Sequence, residues 1–295
     1  MSGWNQDYPA PAKLNLFLHV VGRRADGYHL LQTVFRLLDH GDTLRFAPRS
    51  DGRIVRTNPL PGVAEDGDLT VRAALLLQRE SGCAMGAGIT LEKRLPMGGG
   101  LGGGSSDAAT VLLALNRLWG MNWPRRRLQE LGLKLGADVP FFIFGRSAFA
   151  EGVGEALRGV DLPPAWYLVL VPRASVPTQE IFAAPDLTRN TKALKIADFS
   201  AGWAGKGPGG EPPPVKAFGH NDLESVVCRR YPEVARAIGW LGQFADARMT
   251  GSGGCVFAAF ATEQEARAVL VRIPEGMQGW VARGIDEHPL HALAD

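Results

Sequence analysis

At 295 residues the chain exceeds what one hydrophobic core usually serves, so two domains are expected, and 45% hydrophobic with 21% charged residues is ordinary globular composition. A net charge of +2 supplies no electrostatic reason to bind nucleic acid or an anionic membrane, and no apolar run approaches the roughly 20 residues that span a bilayer. Cys83, Cys228 and Cys255 form no CxxC pair and read as free thiols in a reducing compartment, and the polar N-terminus with Asp7 reads as no signal peptide, so a soluble cytosolic protein is expected.

Residues 12–21 place Leu14, Leu16, Leu18 and Val20 on one face, the pattern of a half-buried strand. Asp26-Gly27 marks a turn, apolar character resumes over 30–38, and short strands are expected at 43–46 and 53–57. Residues 68–79 carry Leu69, Ala73, Leu76 and Leu77 on one helical stripe. A strand over 89–95 runs into a glycine-rich loop, and helices follow at 107–119 and 125–135. After Pro163-Pro164, where the domain boundary is placed (1–162 and 163–295), a buried strand is expected at 166–171. The Gly/Pro-dense stretch at 205–214 reads as a surface loop. A helix from Asp222, a loop and strand at 249–260, a helix at 263–271 and a strand at 280–284 complete an alternation of strands and helices, with no internal repeat. The basic runs Arg125-Arg126-Arg127 and Arg229-Arg230 read as solvated helix faces.

The segment Pro96-Met97-Gly98-Gly99-Gly100-Leu101-Gly102-Gly103-Gly104-Ser105-Ser106 holds six glycines in seven residues. Glycine loses the most freedom on folding, so this density makes sense where the backbone takes positive φ and comes close to something. A strand, a glycine loop and a helix N-terminus present free amides and a positive dipole end to an anion. Ser105 and Ser106 could cap the helix, or reach phosphate or magnesium. No Gly-Lys-Ser/Thr follows, which excludes a Walker A loop. Gly98-x-Gly100-x-x-Gly103 matches a dinucleotide fingerprint, but the second strand and acid expected about 20 positions on are missing. A polyphosphate cradle fits best.

Phosphoryl transfer needs positioning, charge neutralisation and a carboxylate to receive a hydroxyl proton. Asp138, between Ala137 and Val139-Pro140 and ahead of Phe141-Phe142-Ile143-Phe144, is either a helix N-cap or such a base. Strand alternation puts Lys13 and Asn15 on the face opposite Leu14 and Leu16; Lys13 is either a solvent-facing lysine on an edge strand or a partner for that base. A second tight loop, Met249-Thr250-Gly251-Ser252-Gly253-Gly254, could close over phosphates or serve as a turn into a buried strand.

Together these segments resemble the superfamily of galactokinase, homoserine, mevalonate and phosphomevalonate kinases. The glycine-serine loop resembles its second motif and Met249 to Phe260 its third. Pro11-Ala12-Lys13-Leu14-Asn15-Leu16-Phe17-Leu18 and Arg23-Arg24-Ala25-Asp26-Gly27-Tyr28-His29 resemble the branch of 4-diphosphocytidyl-2-C-methyl-D-erythritol kinases. So do Leu135-Gly136-Ala137-Asp138-Val139-Pro140, Phe149-Ala150-Glu151-Gly152-Val153-Gly154-Glu155 and Asn221-Asp222-Leu223-Glu224. The resemblance implies an α+β fold of two domains, the first like ribosomal protein S5 domain 2 and the second ferredoxin-like, with the active site between them. It implies Asp138 as base toward the 2-hydroxyl of the methylerythritol unit, Lys13 as its partner and Asn15 on the substrate. The loop from Pro96 to Ser106 would hold ATP, with magnesium bridging the phosphates through ligands that the residues do not identify. Tyr28, His29 and Phe182 match positions that hold the cytosine, and Thr178 would line the same pocket. A flat base wants aromatic faces, and an imidazole can bond its edge.

Three rivals remain. A neighbouring kinase branch would share the phosphate loop but have no use for Asp26-Gly27-Tyr28-His29. A non-catalytic sensor on the same fold would tend to lack Lys13 and Asp138. An RNA-binding module would need a basic stripe, which the near-neutral charge does not supply. The expected partner is the small-molecule substrate, not nucleic acid or a membrane, and monomer and homodimer both stay open.

Overall fold

The computed structural model describes residues 3–196 and 219–294; the Gly/Pro-rich stretch at 205–214 lies outside them. The chain opens on two long antiparallel strands, β1 (Tyr8–Arg23) and β2 (His29–Arg49). They are joined at Asp26-Gly27, where Tyr28 N donates to Asp26 Oδ1 at 3.2 Å and Gly27 takes φ 92°. β3 (Ile54–Arg56) follows, then α1 (Leu69–Ser81), whose first turn is capped by Asp68 accepting from Thr70 N. β4 (Gly86–Glu92), α2 (Gly103–Leu118), α3 (Arg125–Leu133) and α4 (Val139–Phe144) lead to the short hairpin β5 (Ala148–Glu151) and β6 (Ala156–Gly159). The remainder runs β7 (Trp166–Val171), α5 (Thr178–Phe182), α6 (Glu224–Arg230), α7 (Pro232–Leu241), β8 (Arg248–Met249), β9 (Val256–Phe260), α8 (Glu263–Leu270) and β10 (Gln278–Ile285).

Among the described residues these strands join in one ten-stranded sheet whose main path is β3-β4-β2-β10-β7-β9-β8, with β1 and β5 also on β2. The last strand is the connector: β10 pairs with β7 from Gln278↔Val171 to Arg283↔Trp166, then with β2 at Gly284↔Leu38. One apolar core packs α1, α2 and α4 on β2 and β4 through Leu77, Leu112, Phe141 and Phe46. A second packs α6 and α7 on β7 and β9 through Val227, Val234, Leu170 and Val256. A third, with Leu14, Phe17, Tyr167 and Phe257, bridges them. Burial of this kind, at about 25 cal/mol per Å² of apolar surface, is the main stabilising term.

The elements depart from the sequence pattern in informative ways. The apolar run at 30–38 and the strand at 43–46 are parts of β2, which continues through Asp39-His40-Gly41-Asp42. Gly41 is needed for close approach, not for a turn: a Cβ there would sit 2.1 Å from Ala10 O on β1. β1 is buried on both faces, Lys13, Asn15 and His19 each being 3% exposed, so the half-buried reading of that strand is corrected. α2 begins at Gly103, inside the glycine loop, behind Gly102 in the left-handed region (φ 71°). No side chain caps it, so neither Ser105 nor Ser106 is its cap. β5, β6, α4 and α5 carry no pattern long enough to be read from the sequence.

Candidate active site

β1 has β2 on one side, and its other edge is where the site is assembled. An unpaired strand edge presents a row of N–H groups that must find acceptors. Here Lys13 N donates to Leu101 O at 3.0 Å, Asn15 N to Thr250 Oγ1 at 2.9 Å, Leu18 N to His220 O at 3.0 Å and Val20 N to Asp222 Oδ2 at 2.6 Å. Both glycine loops and the segment around Asn221 therefore dock on one strand.

Lys13 points from that strand toward the start of α4. Its Nζ stands 3.5 Å from Asp138 Oδ2 and also donates to Asn15 Oδ1. Asn15 Nδ2 in turn donates to Thr33 Oγ1 at 2.9 Å, so the lysine is held by a side-chain chain that ends on β2. Burial pushes the Lys13 ammonium below its ordinary pKa, and the Asp138 carboxylate opposes that shift. Asp138 occupies the N-cap position of α4 but makes no capping bond, and a third of its side chain is open to the cleft. A carboxylate facing a buried cation and open to solvent can accept a proton from a bound hydroxyl.

The glycine loop is locked in place by close contact. Gly98, Gly100 and Gly102 all take φ between 71° and 75°. A Cβ on Gly100 would lie 2.2 Å from Thr250 O, and one on Gly102 would lie 2.9 Å from Phe142 Cζ and 3.2 Å from Lys13 Cε. Cys255 N donates to Gly99 O at 3.1 Å, so the segment after the second glycine loop buttresses the first, whose residues Gly98 to Gly104 line the cleft at the N-terminus of α2. Ser105 lines the cleft, whereas Ser106 does not: fully buried, it donates to Pro11 O at 2.7 Å and only holds α2 to β1. Its expected contact with phosphate or magnesium is corrected accordingly.

The cleft, of about 1070 Å³, continues from Lys13 and Asp138 in two directions. One arm passes the glycine loop to Leu60, Val63, Leu69 and Leu91; the other reaches Tyr28, His29, Thr178 and Phe182. In the second arm His29 and Phe182 lie 5.1 Å apart at 33°. That contact leaves no room for a ring between them, so they are not the two walls of a stack. Tyr28 is 65% exposed at its turn and lines the same part of the cleft. Thr178 Oγ1 shares a hydrogen bond with Ser252 Oγ at 2.6 Å, joining this arm to the second glycine loop.

Comparisons with known proteins fit this geometry. Residues 68–146 match the model of the GHMP kinases N terminal domain, and residues 214–279 that of the GHMP kinases C terminal. A 4-diphosphocytidyl-2-C-methyl-D-erythritol kinase of Thiobacillus denitrificans is 66% identical, over 97% of this chain and 98% of its own. The kinase of that name from Ralstonia nicotianae is 60% identical over 98% and 97%. This chain belongs to their family. A crystal structure of 4-(cytidine 5'-diphospho)-2C-methyl-D-erythritol kinase superposes with TM-score 0.80 at 36% identity, over 95% of this chain and 99% of that one. A mevalonate kinase structure, 15% identical with TM-score 0.68 over 96% and 100%, shares the fold. The protein is thus an ATP-dependent kinase with the two-domain GHMP fold, acting on a small molecule, and no described helix is long and apolar enough to cross a membrane.

Parts of this GHMP kinase's site make contacts that the sequence does not announce, although Asn221 itself lies in a stretch that carries the resemblance. Lys93 Nζ bridges Asp42 Oδ2 (2.5 Å) and Asp107 Oδ2 (2.7 Å) beside the glycine loop, and a Cβ on Gly103 would lie 3.0 Å from it. Burial drives the Asp107 carboxyl up to about 7, against the pull of Lys93. Asn221 Nδ2 donates to Met249 O (3.0 Å) and Gly251 O (2.8 Å), which sets the second glycine loop. Arg189 donates to His29 Nε2 at 3.0 Å. Each pairing joins positions far apart in the chain, so no local spacing announces it. Among the described residues no group of three or more His, Cys, Asp or Glu converges as a metal site.

Proposed function

We propose that this kinase phosphorylates the 2-hydroxyl of 4-diphosphocytidyl-2-C-methyl-D-erythritol in non-mevalonate isoprenoid precursor synthesis, in the cytosol. The observation that carries the reading is the placement of Lys13 and Asp138, 3.5 Å apart, between a glycine loop and an aromatic arm of one cleft. Backbone amides of Gly98 to Gly104, with the N-terminus of α2, hold the ATP phosphates, and the apolar arm at Leu60, Val63 and Leu69 takes the nucleoside. The cytosine lies on Phe182 under Tyr28, with His29 at its edge and Thr178 and Asn15 lining the path between base and hydroxyl. Asp138 takes the hydroxyl proton as the oxygen attacks the γ-phosphorus, the bond from that phosphorus to the β–γ bridging oxygen breaks and ADP leaves with its electron pair, and the Lys13 ammonium stabilises charge on the attacking oxygen.

Magnesium supplies charge neutralisation on the phosphates. A magnesium ion held by nucleotide phosphates needs only one or two protein oxygens, and the Ser105 hydroxyl at the cleft is suited to be one. The boundary between the two domains is placed at Leu162-Pro163, just before β7.

The reading is tested by ADP release with magnesium-ATP, offering the cytidine-diphosphate acceptor beside mevalonate and homoserine. Turnover confined to the first supports it. Turnover with either of the others would keep the phosphate loop and overturn the acceptor.

A further inference from the structure

Arg189 follows α5 and turns its guanidinium inward. Nη2 donates to Phe182 O at 2.9 Å and Ala184 O at 2.7 Å, and Nη1 to Leu187 O at 3.1 Å. With those nitrogens engaged, Nε–H donates to His29 Nε2 at 3.0 Å. An arginine Nε–H is always a donor, so His29 Nε2 is the acceptor and carries no proton. Burial and the adjacent guanidinium both hold the His29 imidazole below its ordinary pKa, which keeps the ring neutral. Its single proton therefore sits on Nδ1. Among the described residues Nδ1 has no protein partner, and His29, Arg189 and Phe182 all line the cleft.

We propose that Arg189 is a positioning residue that fixes His29 as the Nδ1–H tautomer, so that the pocket presents a donor selecting a pyrimidine whose N3 is an acceptor (cytosine) over one whose N3 carries hydrogen (uracil). The proposal rests on the reading that places the base against Phe182. Cytosine N3 accepts the Nδ1 proton. Uracil would set its own N3–H against that N–H, leaving two donors facing each other in a site partly shielded from water, and a buried donor without an acceptor is costly. The same guanidinium ties the imidazole to the carbonyl of Phe182, so the stacking ring and the edge donor move as one unit. A histidine free to exchange tautomers would accept either base; the arginine removes that freedom.

The experiment has two readouts on the full-length protein. The first is the nitrogen NMR signature of His29, assigned by its loss in His29→Asn, in the wild type and in Arg189→Met. The wild type should show the Nδ1–H tautomer and Arg189→Met an exchanging mixture; an Nε2–H or averaged signal in the wild type overturns the proposal. The second is kcat/KM for the cytidine- and uridine-diphosphate forms of the acceptor. The wild type should prefer the cytidine form by about 100-fold or more, and the ratio should fall by about tenfold in Arg189→Met, with the loss on acceptor KM more than on kcat. An unchanged ratio in a folded Arg189→Met overturns it. Should that variant not fold, the wild-type tautomer and the ratio in His29→Asn decide by the same criteria. Equal wild-type turnover of both forms overturns the proposal while leaving the kinase reading intact. Equal turnover of an acceptor with no base overturns the cytosine reading itself, which the NMR signature does not address.

Discussion

Lys13 is almost fully buried, and the group its ammonium faces is Asp138, 3.5 Å away at the start of another element and itself open to the cleft. An ammonium taken out of water needs a compensating charge, and the carboxylate beside it supplies one. The pair thus joins a stability requirement to a chemical one. Asn15 completes it by accepting from Lys13 and handing its own amide to Thr33.

On the proposed mechanism Lys13 should set the alkaline limb of activity. Its protonated form is the one that mechanism uses, and burial lowers its pKa below the ordinary 10.5, so kcat should fall as pH rises through that lowered value. In Lys13→Arg, whose guanidinium does not lose its proton, overall activity should drop but the alkaline limb should vanish. A pH–rate profile with the same limb in both proteins would assign it to another group.

Gly102→Ala should impair ATP use. The residue takes φ 71°, and its Cβ would press on Phe142 and the Lys13 stem. Backbone strain of about 1–3 kcal/mol would be joined by displacement of Lys13 and of the first amides of α2. Gly120→Ala, at φ 73° with nothing within 4 Å, is the matched control. Similar stability losses with a raised ATP KM in Gly102→Ala alone would bear out the cradle; equal kinetics in both would remove Gly102 from it.

Acid should weaken the fold through His19. The ring is buried between Phe17 and His220, its Nδ1 has no partner, and its pKa is held down to about 4 by burial, with His220 adding to the shift. The unfolded chain takes up this proton near 6.5, and the folded chain refuses it until about 4. Stability is therefore present in full above pH 6.5 and is lost as pH falls from there toward 4. His288, pushed to about 3 by burial, acts in the same direction. Denaturant midpoints across that range should fall less steeply in His19→Gln than in the wild type, and parallel curves would contradict the assignment.

What the sequence carried of this was what is local. The glycine density at 98–104 has one use, close approach under positive φ, and the structure places three of those glycines there. Lys13 and Asn15 share a strand face by alternation alone. Whether that face meets solvent or Asp138 is decided by β1 having its free edge covered by both loops, which no spacing records. Ser106 shows the same limit: the serine pair could be read, but which hydroxyl turns to the cleft depends on the phase of a helix that starts inside the loop. The Lys93 bridge, the Asn221 clamp and Arg189 arise from chain segments brought together only by the completed sheet.

The most direct test is Asp138→Asn, with turnover and ATP binding measured on the same preparation. The account predicts a fall in kcat of about 10²–10⁴-fold with ATP affinity retained, because the amide keeps the shape of the site but cannot take the proton. Turnover near the wild-type rate would contradict it and remove Asp138 from the base role.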